Sequence, residues 1–491
     1  MVAPSVWGSQ WRGEYDRTIA YASNGTISTA TVKRQGGKQY YFNLSGSTFV
    51  GDADVTGELI RLGVDANGNA TGWTYHNEHD ELETYDAAGK LLSITNKAGL
   101  TQTLTYSDGT DGVSSGNGGF VLDATGVATT AILPASKLIR VTDPEGRSLQ
   151  FGYDAAGRVV KLTDPAGGTT LYGYSGPLLT DNLTSVTRPD GTTRSYLYGE
   201  AAHVSATPNA GVSYVHALTG IIDENGTRYA SWTYDAAGRA TSSEHGPYGS
   251  GIDKVTLAYT APDANGNRTT AVTDVMGTTR TYNFSTILGV VKNTGITGLP
   301  CNGCNAALTY DANGNVSSRT DFNGNKVCYA YDLTRNLELY RLEGVAAATA
   351  CPVDLAAYVP AAGSIERKTS TIWNATYRIP EVVAEPLRLT TYSYDAQGNL
   401  LSKTVQPTTD TTGGAGQAAV AAGTARSTAY TYSPLGQVLT VDGARTDVAD
   451  ISTYSYYAID AACTGVSTLG CRGQLQSVSN ALNQTTQLSD Y

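Results

Sequence analysis

The chain alternates apolar and polar residues over short runs, and turn residues separate these runs. Leu149, Phe151 and Tyr153 alternate with serine, glutamine and glycine, which is the two-residue period of a half-buried strand. Asp-Pro-Glu-Gly at 143–146 and Asp-Ala-Ala-Gly at 154–157 supply turns on either side of this run. No long window has the 3.6-residue period of an amphipathic helix. The pattern therefore predicts short antiparallel strands and little helix.

A block reading Tyr-Asp-x-x-Gly, followed by arginine, lysine or asparagine, recurs along the chain. Three tyrosine pairs, 85/106, 153/174 and 310/331, are each 21 residues apart. Degenerate copies of the block begin at Tyr331 and Tyr432. The five full copies are Tyr85, Asp86 and Gly89; Tyr153, Asp154 and Gly157; Tyr234, Asp235 and Gly238; Tyr310, Asp311 and Gly314; and Tyr394, Asp395 and Gly398.

One repeat holds two short strands and two turns, with a turn signal every 10 or so residues. A single hairpin of this size is marginal in water, so the repeats must stack on one another to be stable. The sequence therefore predicts an all-β ribbon of consecutive hairpins.

The repeat resembles that of the RHS/YD-repeat family. The likeness rests on the Tyr-Asp-x-x-Gly-Arg block and on the Thr-Asp-Pro-x-Gly turns at 142–146 and 163–167, and it runs from about Leu82 onwards. Trp-Arg-Gly-Glu-Tyr-Asp-Arg at 11–17 resembles the segment that precedes the repeats in bacterial members. The resemblance implies a β-hairpin ribbon that spirals into a hollow shell, or β-cage, here a partial one. In bacterial polymorphic toxins such a shell encloses a C-terminal toxic domain, and teneurins contain a related barrel.

Composition along the chain suggests four regions. We predict a mostly β N-terminal region at 1–81 and repeats at 82–403, with loop insertions near 109–130 and 345–364, the second containing one helical turn at most. A flexible Thr/Gly/Ala insertion is predicted at 404–428, and further repeats at 429–491. The last residues resemble the start of another repeat, so we expect a truncated array.

Charge and hydropathy exclude two classes of partner. The 33 basic and 44 acidic residues give a net charge of −11, and no stripe of Lys and Arg is present to neutralise nucleic-acid phosphates. No apolar run is long enough for a membrane span. The first residues lack the basic and apolar regions of a signal peptide, so we expect either another export route or a chain that begins inside a longer natural protein.

Six cysteines form three local pairs along the sequence: Cys301 and Cys304, Cys328 and Cys351, and Cys463 and Cys471. An even number with local pairing favours disulfides in an oxidising compartment, above all for the second and third pairs. The Cys-Asn-Gly-Cys pair at 301–304 has two alternatives, a redox pair or half of a zinc site. It precedes a predicted strand rather than a helix, and the chain has no second Cys-x-x-Cys.

Two further patterns could hold metal ions. Asp-x-Asn-Gly-Asn occurs at 65–69, 263–267, 311–315 and 321–325, with oxygen ligands spaced as in calcium loops. Each copy lies where the repeat needs a turn, and Asn-Gly is a strong hairpin signal, so we favour turns over calcium sites. His76 and His79 form the only close histidine pair, and we interpret their segment as a solvated loop. We assign no catalytic, cofactor-binding or metal-binding residue.

The 32 tyrosines against 6 phenylalanines also need an explanation. Cross-strand stacking is the simpler one. The alternative is an apolar but wet surface, such as a cavity wall or a glycan-binding face, for which tyrosine is better suited than phenylalanine.

The sequence favours a structural shell segment over an enzyme. We predict a scaffold of a secreted or surface-exposed bacterial protein that encloses or presents a C-terminal toxin absent from this chain, used in competition between bacteria. Its expected partners are that toxin or core domain and a secretion system. The alternative is a cell-surface adhesion module that binds carbohydrate. No nucleophile or acid–base pair indicates enzymatic activity in this segment.

Overall fold

The fold is a long meander of antiparallel strands. The computed structural model describes residues 5–23, 28–66, 68–463 and 470–489, where 37 strands and two short 3-10 helices occur and no α-helix does. Asp490 and Tyr491, in the predicted start of a further repeat, lie outside the described residues, as does Asn67 of the first Asp-x-Asn-Gly-Asn loop. Among the residues described, no helix is long and apolar enough to cross a membrane.

The first four strands form a small sheet in the order β1-β2-β3-β4. They are β1 (Thr18–Ser23), β2 (Ser28–Lys33), β3 (Gln39–Ser45) and β4 (Thr48–Gly51). We call this the N-terminal sheet.

Eighteen strands then close into a ring, in which β9 pairs with β12 and β24 lies next to β5. The ring strands are β5 (Glu58–Arg61), β6 (Gly72–His76), β7 (Leu82–Asp86), β8 (Leu91–Thr95), β9 (Thr101–Tyr106), β12 (Leu138–Thr142), β13 (Ser148–Tyr153), β14 (Val159–Thr163), β15 (Thr169–Tyr174), β16 (Leu183–Thr187), β17 (Thr193–Tyr198), β18 (Leu218–Ile222), β19 (Arg228–Tyr234), β20 (Ala240–His245), β21 (Ile252–Tyr259), β22 (Arg268–Thr273), β23 (Thr279–Ile287) and β24 (Val290–Gly298). A separate hairpin, β10 (Phe120–Leu122) and β11 (Ala128–Ile132), interrupts the series, and the 3-10 helix η1 (Ala201–His203) follows β17.

The remaining strands form a thirteen-stranded sheet in sequence order. They are β25 (Asn305–Tyr310), β26 (Val316–Asp321), β27 (Asn325–Asp332), β28 (Leu337–Ala346), β29 (Arg367–Trp373), β30 (Pro380–Glu385), β31 (Arg388–Tyr394), β32 (Leu400–Pro407), β33 (Arg426–Tyr432), β34 (Val438–Asp442), β35 (Ser452–Tyr456), β36 (Leu475–Ser479) and β37 (Thr485–Gln487). The 3-10 helix η2 (Gly416–Ala418) lies between β32 and β33.

The thirteen-stranded sheet runs alongside the ring as a second course of the same ribbon. The amide of Arg378 donates to the Asp80 carboxylate at 2.8 Å, and the side chain of Asn336 donates to the carbonyl of Ala53 at 3.0 Å. The Lys97 ammonium lies 5.9 Å from the Tyr377 ring centre. These contacts join turns of the second course to turns of the first, as the predicted spiralling ribbon requires. The all-β prediction is confirmed.

The main core lies between the N-terminal sheet and the ring. Phe49 meets Trp73 edge to face at 5.3 Å, and Phe42 meets Tyr75 at 6.2 Å. The buried apolar side chains that share this core include Ile19, Ala30, Val32, Phe42 and Phe49 from the N-terminal sheet and Leu59, Trp73, Tyr75, Tyr85, Leu91, Phe151 and Tyr153 from the ring. The N-terminal sheet is therefore attached by burial of aromatic area, the largest favourable contribution per residue.

The predicted insertions are more ordered than their composition suggested. The segment 109–130, predicted as a loop insertion, contains strand β10 and the start of β11, which form a separate hairpin between β9 and β12 of the ring. In 345–364 the amide of Tyr358 donates to the carbonyl of Asp354, which forms one isolated helical turn. In 404–428, backbone bonds from Leu387 to Asp410 and from Lys368 to Thr412 attach the segment to the sheet. The segment 404–428 is thus held by backbone hydrogen bonds, which its composition does not indicate.

The boundary predicted at residue 81 does not coincide with a change of sheet. Strands β5 and β6 already belong to the ring, and the N-terminal sheet ends at Gly51. Strands β5 and β6 do not contain the Tyr-Asp block, so the sequence pattern separates them from the repeats that follow. The other regional limits remain predictions.

Gly89 allows a test of how the N-terminal sheet is attached. Its φ is +78°, its carbonyl accepts the amide of Ile19 at 2.9 Å, and an added Cβ would collide with the Ile19 carbonyl. Gly167 has a similar φ of +87° with no atom near its Cβ position. Gly167→Ala should cost about 1–2 kcal/mol, the strain of a left-handed residue.

Gly89→Ala should cost more than Gly167→Ala and should also lower the hydrogen-exchange protection of β1. Native-state hydrogen exchange of both variants checks this. Equal effects on β1 would contradict the attachment described here.

Candidate functional site

The tyrosine at the end of one strand in each repeat donates a hydrogen bond to the hairpin before it. The Tyr174 hydroxyl donates to the backbone carbonyl of Val159 at 2.7 Å. Among the described residues, eleven tyrosines make this bond, at 2.5–3.1 Å: Tyr106, Tyr153, Tyr174, Tyr198, Tyr234, Tyr259, Tyr310, Tyr331, Tyr394, Tyr432 and Tyr456. We call this series the tyrosine ladder.

Each accepting carbonyl belongs to a β-bulge. In the pairing of β13 with β14, Gly152 faces Lys161 but Tyr153 faces Val159, so one residue of β14 is left over. The regular pairing of β14 with β15 ends at Lys161. The Tyr174 hydroxyl therefore reaches the Val159 carbonyl beyond the last paired residue. The same register shift accompanies the other ten acceptors.

Two exceptions support the link between bulge and donor. Trp373 takes the place of a tyrosine, and its indole Nε1–H donates to the Glu338 carbonyl at 2.8 Å, again at a bulge. Phe284 has no donor, and the hairpin before it pairs β21 with β22 without any register shift, with Tyr259 facing Thr270. The bulge is absent where the following aromatic residue cannot satisfy the carbonyl.

The aspartate and glycine of the repeat close the turn, and its arginine covers the aromatic ring of the tyrosine in the next repeat. The Asp154 carbonyl accepts the amide of Gly157 at 2.9 Å, and its carboxylate accepts the amide and the guanidinium of Arg158 at 2.6–2.9 Å. Gly157 has a φ of +80°. The Arg158 guanidinium also lies 4.2 Å from the centre of the Tyr174 ring. Arginine therefore joins its own turn to the tyrosine of the next repeat.

The ladder explains why tyrosine outnumbers phenylalanine. Its hydroxyls are engaged with backbone inside the sheet, and stacked ring pairs such as Tyr392 and Tyr394, 6.4 Å apart, are few among the described residues. Burial raises the pKa of Tyr198 to about 12. Both sequence interpretations, stacking and a wet wall, missed this bond because the acceptor is a backbone carbonyl that no pattern of side chains marks.

Residues 5–17, ahead of the N-terminal sheet, lie across the aromatic face of the ring. The Trp7 ring lies 5.1 Å from Tyr172, and the Trp11 Nε1–H donates to the Tyr198 hydroxyl at 2.8 Å. The amide of Ser9 donates to the carbonyl of Asp181 at 3.1 Å. We call residues 5–17 the strap, which includes the segment at 11–17 that the sequence marked as preceding the repeats.

A buried carboxylate joins the strap, the N-terminal sheet and the ring. Glu83 on β7 is fully buried and accepts Arg17 Nη1 at 2.7 Å and both terminal nitrogens of Arg34 at 2.6 and 2.7 Å. The Asn77 amide at 3.1 Å and the Tyr85 hydroxyl at 2.5 Å complete its partners. Tyr85 thus bonds Glu83 instead of taking part in the ladder.

Glu83 stays ionised in this site. Burial alone would raise its pKa, but the hydrogen bonds and charge of Arg34, the Tyr85 hydroxyl and Arg17 together hold the pKa below the ordinary 4.5. No sequence pattern indicates this cluster, because Arg17 and Arg34 are remote from Glu83 along the chain and lie outside the repeats.

The cysteines and the metal candidates take structural positions. Disulfides join Cys301 to Cys304, Cys328 to Cys351 and Cys463 to Cys471, with Cα–Cα distances of 5.4, 5.7 and 5.5 Å. In the four Asp-x-Asn-Gly-Asn loops, the aspartate carboxylate accepts the side-chain amide of the last asparagine at 2.9–3.1 Å, which is turn geometry. Within the described ranges, no three His, Cys, Asp or Glu side chains form a metal site, and this holds at His76 and His79.

Removing one ladder hydroxyl should weaken one repeat locally. Tyr174→Phe leaves the Val159 carbonyl without its donor and should cost about 1–3 kcal/mol. The control Tyr172→Phe, on the same strand but outside the ladder, should cost less. Hydrogen exchange of β14 and β15 measures the loss, since a repeat array need not unfold in one step. Equal losses in both variants would show that the ladder bond adds nothing.

Glu83→Gln should release the N-terminal sheet from the ring. The variant leaves the Arg34 guanidinium without its counter-charge, whereas Arg17 keeps its ion pair with Glu14. Removing one partner of a buried ion pair costs about 3–5 kcal/mol. Because the pKa of Glu83 is lowered in the fold, its stabilisation is present above pH 4.5 and is lost as the pH falls through the folded pKa.

The protection factors of the β2 and β3 amides, which are corrected for the intrinsic pH dependence of exchange, should therefore fall in acid for the wild type and be low already at neutral pH in Glu83→Gln. The exposed Glu58→Gln, on β5, is the control. A wild-type acid profile that persists unchanged in Glu83→Gln would contradict this assignment.

Several known proteins share parts of this chain. A family model described as RHS Repeat matches residues 134–169, the stretch that contains β12, β13 and β14. A double-stranded DNA deaminase toxin A from Burkholderia cenocepacia (strain H111) is 29% identical over 171 residues, which cover 34% of this chain and 11% of the toxin.

Two solved structures are similar over most of the chain but at low identity. The Photorhabdus luminescens Tc holotoxin pore is 14% identical, with a TM-score of 0.40, over 96% of this chain and 26% of the matched one. TcdB2-TccC3-TEV is 10% identical, with a TM-score of 0.38, over 94% and 29%. The chain thus spans about a tenth of the curated relative and less than a third of either solved chain. The matched model falls on units whose turn, bulge and tyrosine bond recur along the ribbon, so residues 134–169 match an RHS repeat and the neighbouring units have the same construction.

Proposed function

We propose that this chain is a wall segment of a hollow shell that encloses a toxic domain of the same protein, for use between competing bacteria. The observation that carries the proposal is the closure of eighteen strands into a ring that a second course of the ribbon continues. A closed ring has no free side edges, so it can surround another chain without pairing with it. The chain itself would act as container rather than as catalyst.

The disulfides support an extracellular or cell-surface location. Three pairs in one chain are typical of proteins that leave the reducing cytosol. A secretion system would then be a partner of the complete protein. This chain matches only part of its toxin relative. That the enclosed domain is toxic is therefore proposed only because this relative is a toxin.

The alternative, a carbohydrate-binding surface, was suggested by the abundance of tyrosine. The ladder accounts for eleven of these tyrosines through bonds to backbone. A glycan site would need other side chains, and we do not favour it.

Small-angle scattering and electron microscopy of the purified chain test the shell. A closed ring with a second course should give class averages with a central region of low density and a compact distance distribution. An extended open rod would contradict the proposal. A glycan array run on the same sample should show no binding, and a specific carbohydrate ligand would favour the adhesion alternative instead.

A further inference from the structure

The Cys301–Cys304 disulfide lies where the ring ends and the thirteen-stranded sheet begins. It occupies the link between β24 and β25, and its Asn-Gly turn is closed by a bond from the amide of Cys304 to the carbonyl of Cys301 at 3.2 Å. Gly303 adopts a φ of +74° with no atom near its Cβ position, so the outer side of the turn is open.

This disulfide has the weakest structural role of the three. It closes a loop of 3 residues, against 23 for Cys328–Cys351 and 8 for Cys463–Cys471, and stabilisation by cross-linking grows with loop length. The strands on either side are joined without it, because the Tyr310 hydroxyl on β25 donates to the carbonyl of Asn293 on β24 at 2.5 Å.

Accessibility also separates this pair from the other two. Cys301 and Cys304 are both half-buried, whereas each of the other two disulfides joins one half-buried cysteine, Cys351 or Cys463, to one that is buried, Cys328 at 0% or Cys471 at 5% exposed. An attacking thiolate must approach one sulfur along the S–S axis, which requires open space on that side. Exposed disulfides are accordingly the ones that exchange.

A cavity of about 310 Å³ opens beside this disulfide. Arg319, Phe322, Asn325 and Val327 line it together with the two cysteines. Asp321 contributes the only carboxylate to the lining, and its oxygens are occupied by the amides of Asn323 and Asn325 at 2.8–2.9 Å. The Arg319 guanidinium lies 6.0 Å from the Tyr329 ring centre. Among the described residues it has no carboxylate within ion-pair distance, so it can pair with a ligand anion.

We propose that Cys301–Cys304 is a thiol–disulfide exchange site for small thiols that carry a carboxylate, of the glutathione class, with Arg319 as the group that positions the carboxylate. The site is independent of the proposed shell function. The thiolate of a first ligand attacks one cysteine sulfur, forms a mixed disulfide and releases the other cysteine as a thiolate.

A second ligand thiolate then attacks the ligand sulfur of the mixed disulfide. The products are the ligand disulfide and two reduced cysteines, so two electrons pass from two thiols to one protein disulfide. The two protons that the ligands lose are taken up by the cysteine thiolates through water.

The test exposes the folded full chain to glutathione, followed by acid quench, alkylation and peptide mass spectrometry. Cys301 and Cys304 should be reduced about ten-fold faster than either other pair, with a glutathione adduct on one of them at early times. Reduction of Cys328–Cys351 or Cys463–Cys471 at the same rate or sooner would overturn the proposal.

A second arm tests the ligand class. Arg319→Gln should slow reduction by glutathione several-fold but leave reduction by 2-mercaptoethanol, which is uncharged and has no carboxylate, at the wild-type rate. The exposed Arg426→Gln on β33 is the matched control and should change neither rate. Equal slowing of both thiols in Arg319→Gln, or no slowing of either, would overturn the role of Arg319 and with it the proposed preference for carboxylate-bearing thiols.

Discussion

The hydrogen bond from a tyrosine hydroxyl to the carbonyl of the preceding bulge is the interaction on which this ribbon depends. A bulge bends and twists its strand, which a ribbon needs in order to curve into a ring. The bulge also leaves a backbone carbonyl beyond the regular pairing, and an unsatisfied buried carbonyl is costly. The Tyr174 hydroxyl removes that cost by donating to the Val159 carbonyl, and ten other tyrosines of the described ribbon do the same at their bulges. Tyrosine thus allows the ribbon to curve at its bulges without leaving the bulge carbonyls unpaired.

The N-terminal region depends on a different constraint, the burial of charge. Glu83 brings together Arg17 of the strap and Arg34 of the N-terminal sheet, and neither element belongs to the repeats. Aromatic packing buries apolar area there, while the ion pairs require a defined arrangement, because a buried carboxylate that loses one of its partners is costly. The ion pairs of Glu83 therefore determine where the strap and the N-terminal sheet lie on the aromatic face of the ring, which apolar contacts alone would not do.

Much of the repeat could be predicted because its causes are local. Asp154 and Gly157 act within one turn, and the alternation of Leu149 with its neighbours requires only a two-residue period. The hairpin in 109–130 was not predicted because the segment is rich in glycine and serine, which are typical of loops. Its two short strands have no strong alternation of apolar and polar residues. Trp373 was missed as a ladder member because its block lacks the Tyr-Asp signature, although its indole makes the same bond.

The sequence by itself determined the repeat, the antiparallel hairpins, the turn residues and the local pairing of the cysteines, since each of these depends on residues close together in the chain. Only the tertiary structure decided the acceptor of each tyrosine, the partners of Glu83 and the closure of the ring. Those features join residues far apart in sequence, such as Arg378 with Asp80, and the acceptor is often backbone. A backbone carbonyl has the same chemistry in every residue, so its role follows from position in space alone.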